Sequence, residues 1–129
     1  FQNFGLLENA TVAANLELGL IGQKWTKQEK KQREEEVLEK VGLDYLALDQ
    51  KIYELSGGEA QRVALAKVIL KDPPLILADE LTAALDPETS QEIMNLLLSL
   101  KKPDRLMIIA THNPAIWEKA DEVIRLNTI

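Results

Sequence analysis

The sequence predicts an α/β protein in which a mostly helical first part precedes part of a parallel β-sheet. Two continuous apolar runs, PPLILAD at 73–79 and RLMIIAT at 105–111, have the length of strands and no polar alternation. Such runs are typical of strands that are buried on both faces of a parallel sheet. Between the two runs, Asp86 as N-cap and Pro87 at the first position begin an amphipathic helix. The order strand, helix, strand predicts a right-handed crossover.

The helical first part carries its own start and stop signals. Thr11 is a predicted N-cap, and Gly19 follows as a predicted helix breaker. A second helix begins at Thr26, where Glu29 stands three residues later in the capping-box pattern, and it ends before Gly42. Its mixed lysines and glutamates are typical of a solvated helix surface.

In the last part of the chain, the sequence predicts one more helix and one more strand. Asn113 and Pro114 form a cap and first-turn pair for a short helix that carries Trp117. The segment DEVIRL at 121–126 is the predicted last strand.

Composition narrows the range of functions. The 129 residues carry a net charge of -6 and contain no cysteine, so neither an overall basic footprint for nucleic acid nor a disulfide framework is present. No apolar run approaches the roughly 20 residues that cross a bilayer. A role at a membrane would therefore require another chain or segment to span it.

A glycine pair precedes the third predicted helix. Ser56 and Glu59 form a capping box around Gly57 and Gly58. The unpaired amides at a helix start, together with the helix dipole, form a place for an anion. Most such turns bind nothing, so this stretch alone leaves both a plain turn and a phosphate site open.

Ionisable residues follow both predicted strands. Asp79 and Glu80 end the first apolar run, and His112 comes just after the second. The carboxyl ends of parallel strands meet at one edge of a sheet, where ligands bind. Two acids there suit Mg²⁺ and the activation of a water molecule, although an acid pair can equally begin a loop and a lone histidine is often structural.

Five short motifs then stand in a fixed order: FQN at 1–3, LSGGE at 55–59, LILADE at 75–80, ALD at 84–86 and TH at 111–112. They resemble the Q-loop, signature, Walker B, D-loop and switch-histidine motifs of ABC-type ATPase domains. The sequence is most similar to the ATPase subunits of macrolide, lipoprotein and antimicrobial-peptide exporters. The resemblance implies a partial P-loop NTPase (RecA-like) parallel-sheet core plus the ABC helical subdomain. Residues 1–54 would be the Q-loop and helical subdomain, and residues 55–129 the C-terminal part of the ATPase core.

The resemblance also implies roles for the residues of the glycine turn and the acid pair. Ser56, Gly57 and Gly58 would contact the γ-phosphate of ATP that is held mainly by a second copy of the domain. Asp79 would hold Mg²⁺, and Glu80 would be the general base for the attacking water.

Three further residues take roles by resemblance. His112 would contact the γ-phosphate, and Gln2 would sense Mg²⁺ and the attacking water. Asp86 would organise the facing site across the dimer. The implied protein is a cytoplasmic ATP-binding subunit, peripheral on the inner face of the membrane, with a second ATPase domain and a transmembrane permease as partners and no direct nucleic acid.

The phosphate loop of the family is absent from these residues. No G-x-x-x-x-G-K-[ST] pattern occurs, so this chain alone is expected not to bind or hydrolyse ATP. We expect the chain to lack the N-terminal, Walker A part of a longer protein. In the resembled fold the phosphate-loop strand lies between RLMIIAT and DEVIRL, which predicts an unpaired edge on both. Leu81 and Ala83 stand where the family usually has proline and serine.

Two alternative functions remain at this stage. One is a soluble ABC ATPase that acts on nucleic acid or the ribosome. Only about fifty residues separate FQN from LSGGE, which leaves no room for the long coiled coil of chromosome-type members. The other is a non-catalytic fragment that serves as a helical docking module.

Overall fold

The structure, a computed structural model, describes residues 5–79, 86–111 and 114–125 of the chain. Within these ranges it confirms the mixture of helices and strands in the predicted order as far as the short helix that carries Trp117. No helix there is both long and apolar enough to cross a bilayer. The elements are α1 Val12–Leu18, α2 Lys27–Lys40, a 3₁₀ turn Ile52–Glu54, α3 Gly57–Lys71, β1 Leu75–Asp79, α4 Pro87–Leu98, β2 Leu106–Ala110 and α5 Pro114–Trp117.

The predicted N-caps begin their helices as expected. The side chains of Thr11, Thr26, Ser56 and Asp86 each accept a hydrogen bond from the backbone amide three residues later, at 3.0 or 3.1 Å. Such bonds satisfy amides that a helix start otherwise leaves unpaired. The return bond of a capping box forms at Ser56, whereas in the described part of the chain the box at Thr26 has only its first bond. Asn113 lies outside the described residues.

The two strands pair in parallel, as the crossover pattern predicts. Leu75 stands opposite Leu106, and the register continues to Asp79 opposite Ala110. The carboxyl end of β1 therefore lies beside the carboxyl end of β2. This is the edge of the sheet where the sequence predicts the acidic site.

The prediction that both strands are buried on both faces is wrong for the described residues. Ile76 and Ala78 are buried, but Leu77 is 68% exposed and Ile108 is 52% exposed. The buried face packs under residues of α3 and α4, and no described element covers the other face. A continuous apolar run shows that both faces are apolar, but it does not show what covers each of them.

The predicted last strand is also wrong in the described residues. Residues 121–125 form no strand, and Ile124 is 80% exposed. A strand exists only through hydrogen bonds to a neighbour. In the resembled fold another strand separates β2 from this segment, and none of the described residues occupies that place.

Helix α3 joins the two hydrophobic clusters that the described residues form. Val63 and Ala66 pack with α1 and α2 in the first cluster, while Leu65 packs with the sheet and α4 in the second. The helical part before α3 and the sheet with α4 after it therefore both pack against α3. The division between residues 54 and 55 stays a prediction.

A carboxylic acid is buried on α2, the helix that contributes Val37 and Leu38 to the first cluster. Glu34 of α2 is only 5% exposed, and among the described residues its Oε1 atom has no hydrogen-bond partner. Burial, followed by the nearby Glu17 carboxylate, raises the pKa of Glu34 to about 7. A buried carboxylate without a partner destabilises the folded state once it ionises.

The Glu34→Gln variant is expected to be more stable than the wild type at pH 8. The folded-state pKa lies above the ordinary value of 4.5, so the wild type binds this proton more tightly when folded. Its stability should then fall as the pH rises from about 4.5 to 7, by up to about 3 kcal/mol. Glu34→Gln removes this pH-dependent loss of stability.

Urea unfolding at pH 5 and pH 8 measures the effect, with Glu39→Gln on the same helix as control. An unchanged pH dependence in Glu34→Gln would contradict the assignment.

Candidate functional site

The starts of α3 and α4 meet in one cavity. The glycine turn before α3 and the N-cap of α4 line a depression of about 500 Å³. Its other walls come from the loop after α2 and from the first two turns of both helices. The lining residues are Gly42, Tyr45, Ser56, Gly57, Gly58, Glu59, Arg62, Asp86, Thr89 and Glu92.

The hydrogen bonds of the glycine turn leave two amides available. The Ser56 amide donates to Glu59 Oε1 at 3.0 Å, and the Glu59 amide donates to Ser56 Oγ at 3.1 Å. The Ala60 amide donates to the Ser56 carbonyl at 2.9 Å. No hydrogen bond within the described residues uses the amides of Gly57 and Gly58. These amides, at the positive end of a 15-residue helix, form an anion-binding start.

Gly58 fits tightly against α4. A Cβ atom at this position would lie 2.8 Å from Thr89 Cγ2, which is closer than real side-chain contacts allow. Any other residue at position 58 must move Thr89 or the turn itself. The glycine therefore allows both the close packing of the two helix starts and the approach of a ligand to the backbone.

Hydrogen bonds hold the pKa of two acidic side chains of the cavity, Glu59 and Asp86, below its ordinary value. The Tyr45 hydroxyl donates to Glu59 Oε2 at 2.5 Å, and this bond, together with bonds from Ser56, lowers the pKa of Glu59. The same contact raises the pKa of Tyr45. Hydrogen bonds from Thr89 lower the pKa of Asp86. With Glu92, three carboxylates and the single guanidinium of Arg62 are among the described lining residues, and Arg62 pairs with Glu92.

The structure describes only part of the predicted acid edge. It places the backbone of Asp79 at the carboxyl end of β1, beside Ala110. Gln2, Glu80 and His112 lie outside the described residues. In the part of the chain that is described, no three side chains of the metal-binding types form a cluster. The roles predicted for these residues stay predictions, as do those of Ser56, Gly57, Gly58 and Asp86.

The sequence reasoning missed four residues of the cavity. Thr89 and Glu92 follow Asp86 at three-residue steps, so the helical spacing could have placed them on the same side of α4. Arg62 follows Gly58 at a four-residue step on α3. Tyr45 comes from the loop after α2, and no local pattern indicated it.

Comparison with known proteins decides the family. The family model described as ABC transporter matches residues 1–83. This chain belongs to the ABC transporter family. The match confirms the resemblance to ABC-type ATPase domains that the five motifs indicated. The matched residues include FQN, LSGGE and LILADE, whereas ALD at 84–86 and TH at 111–112 come after them.

Relatives of this ABC family member are ATP-binding proteins. It is 43% identical over 124 residues to the uncharacterized ABC transporter ATP-binding protein YvrO of Bacillus subtilis, which covers 96% of this chain and 54% of that protein. It is 47% identical over 102 residues to the methionine import ATP-binding protein MetN 1 of Staphylococcus aureus, with 79% of this chain and 30% of that protein covered. The chain thus spans about half the length of YvrO. Importers and uncharacterized proteins both occur among its relatives.

Solved structures confirm the fold of this ABC family member. The ATP-binding cassette MJ0796, solved as a dimer in a post-hydrolysis state with ADP and Pi, matches with a TM-score of 0.75 at 35% identity, over 90% of this chain and 52% of that one. The cbiO1 protein of Clostridium perfringens, part of the ABC transporter complex cbiONQ, matches with a TM-score of 0.71 at 34% identity, over 88% and 45%. The predicted P-loop NTPase class with a parallel sheet is confirmed.

Proposed function

We propose that the whole protein containing this chain is the ATP-binding subunit of an ABC transporter and couples ATP hydrolysis to transport. The observation that carries the proposal is the junction of two helix starts in one cavity. There the amides of Gly57 and Gly58 are available to a phosphate, and Asp86 lies beside them. The family membership supports ATP as the phosphate-bearing ligand.

The charge of the cavity supports a site shared between two copies. Three carboxylates and one guanidinium line the described cavity, so a free phosphate would meet net negative charge. Like charges at short range oppose binding. The turn is therefore suited to contact a triphosphate whose charge is already neutralised by groups elsewhere. A second copy that holds ATP through a phosphate loop would supply those groups, and MJ0796 was solved as a dimer.

The acid edge supplies the chemistry in this proposal. Asp79, at the carboxyl end of β1, would hold Mg²⁺, for which carboxylate oxygen is a fitting ligand. The bound ion would neutralise charge on the phosphates during transfer. Glu80 orients and deprotonates the attacking water, His112 contacts the γ-phosphate, and Gln2 senses the state of the site.

The partners follow from the same proposal. A second ATPase domain completes each site, and a transmembrane permease carries the substrate. We propose a cytoplasmic position on the inner face of the membrane. The cbiO1 relative belongs to a complex, cbiONQ, which supports a permease partner. The resemblance of FQNFGLLENATVAANL, residues 1–16, to exporter subunits supports export of a peptide, lipoprotein or drug-like substrate.

The test uses the whole protein rather than these 129 residues alone, because no phosphate loop occurs among them. ATP hydrolysis and nucleotide binding are measured with and without Mg²⁺, and the protein is purified from membranes under mild detergent. We expect Mg²⁺-dependent hydrolysis and co-purification of a transmembrane subunit. Hydrolysis that is stimulated by nucleic acid or ribosomes, without a membrane partner, would favour the soluble class. If the protein neither binds nor hydrolyses nucleotide, the result would favour the hypothesis of a non-catalytic docking module.

A further inference from the structure

We propose that Arg62 is a positioning residue that fixes the start of α4, and with it Asp86, relative to the glycine turn of α3. The inference rests on the proposed function, because it concerns how two parts of that site are held at one spacing. Arg62 would touch neither ATP nor water in this role. It acts through the helices that its guanidinium joins.

The guanidinium of Arg62 contacts two other helices at once. Its Nη1 atom donates to the Val41 carbonyl at 2.8 Å, and its Nη2 atom forms an ion pair with Glu92 of α4. The Arg62 side chain is only 18% exposed, whereas the Glu92 side chain is 52% exposed, so bulk water competes weakly for the contact with Val41 and more strongly for the ion pair with Glu92. A planar fork with several donors suits such a two-sided contact, whereas the ammonium of lysine does not reproduce it.

The contact with Val41 lies at the carboxyl end of α2. Val41 is the C-cap of that helix, and Gly42 follows with a φ of 78°. The last carbonyls of a helix lack intrahelical partners and carry the negative end of its dipole, so a guanidinium there is favourable. A Cβ atom at Gly42 would lie 3.4 Å from Arg62 Nη1. The end of α2 is thus closely fitted around this guanidinium.

Within the cavity, the contact with Glu92 is the second of two between α3 and α4, and apolar side chains of the two helices pack together further along. Gly58 packs on Thr89 at the first turn of each helix, and Arg62 pairs with Glu92 one turn further along both. Two contacts on successive turns fix both the rotation and the slide of α4 along α3. Because Asp86 caps α4 through the Thr89 amide, its position follows that of the helix.

Loss of the Arg62 contacts is expected to affect the rate of ATP turnover more than the affinity for ATP. In the proposed dimer, ATP is held mainly by the phosphate loop of one copy, while the glycine turn and Asp86 come from the other. A small displacement of α4 would misplace Asp86 relative to the glycine turn without removing the main ATP contacts. Such misplacement lowers the rate of the chemical step.

The test compares Arg62→Gln, Glu92→Gln and the double variant in the whole protein. Lys101→Gln, which removes an exposed ion pair with Asp121, is the matched control. Arg62→Lys tests whether a positive charge alone is enough to hold the start of α4 in place. Three quantities are measured: hydrogen exchange of the backbone amides between residues 86 and 90, where Pro87 has none, and the kcat and KM for ATP hydrolysis.

We expect faster exchange at 86–90 in both single variants, a kcat lowered about tenfold, and a KM within about twofold of wild type. The double variant should lose no more than about the larger single loss, because both residues act through one contact. Arg62→Lys should recover only part of kcat, and Lys101→Gln should match wild type.

Unchanged exchange at 86–90 together with an unchanged kcat in Arg62→Gln would overturn the inference, and so would additive losses in the double variant. If the wild-type protein does not hydrolyse ATP, the proposed function fails. The exchange rates at 86–90 then decide by themselves whether Arg62 holds the start of α4.

Discussion

Replacing Glu80 by glutamine in the whole protein is expected to lower kcat for ATP hydrolysis by at least about 10²-fold. Glu80 directly follows Asp79, the last residue of β1, and the proposed function makes its carboxylate the base for the attacking water. Glutamine has nearly the same shape but cannot accept that proton. Binding of ATP should remain close to wild type, because the residue contributes to the reaction rather than to capture.

Single-turnover hydrolysis and equilibrium binding of a fluorescent ATP analogue measure the two effects separately. Glu118→Gln, which changes an exposed glutamate outside the proposed site, controls for the loss of one negative charge. Turnover of Glu80→Gln within about threefold of wild type would show that another group activates the water.

Replacing Gly58 by alanine is expected to lower the ATPase rate by about 10²-fold. The new Cβ atom would lie 2.8 Å from Thr89 Cγ2, so either the glycine turn or the start of α4 must move. The same crowding should lower the free energy of unfolding by about 1–3 kcal/mol. The rate is measured under saturating ATP, and the stability by urea unfolding.

A second substitution separates packing from ligand contact. Thr89→Ser removes the Cγ2 methyl group and keeps the hydroxyl, so the pair Gly58→Ala with Thr89→Ser should recover most of the lost stability. If the ATPase rate recovers as well, the loss came from displacement of the turn. If stability returns and activity does not, the methyl group at position 58 blocks the nucleotide directly. Equal stability of Gly58→Ala and wild type would contradict the packing described here.

Local signals were reliable because the physics behind them is local. The N-caps at Thr11, Thr26, Ser56 and Asp86 depend on a side chain and an amide three residues away, and all four form. The parallel pairing of β1 with β2 follows from the helix between them, since a crossover of that length permits little else.

Predictions that depend on distant neighbours were less successful. The exposure of Leu77 and the absence of a strand at 121–125 both concern what lies beside an element, and no pattern within the element contains that information. The same holds for the contact of Tyr45 with Glu59 and for the two-sided contact of Arg62, because tertiary packing alone brings these residues together.

The family and its ATP-binding motifs could be predicted from the sequence because the motifs keep their order across the chain. The direction of transport could not, since relatives named for methionine import share much of this sequence. The substrate contacts a transporter through its permease in the proposed assembly.

A mixing experiment tests most directly whether the glycine turn of one copy and the acid edge of another act on the same ATP. Copies with Gly58→Ala are mixed with copies with Glu80→Gln before ATP is added, and hydrolysis is compared with each variant alone. In a head-to-tail dimer, each mixed pair contains one intact site, so activity should rise to about a quarter of wild type. Activity equal to the average of the separate variants would contradict a shared site.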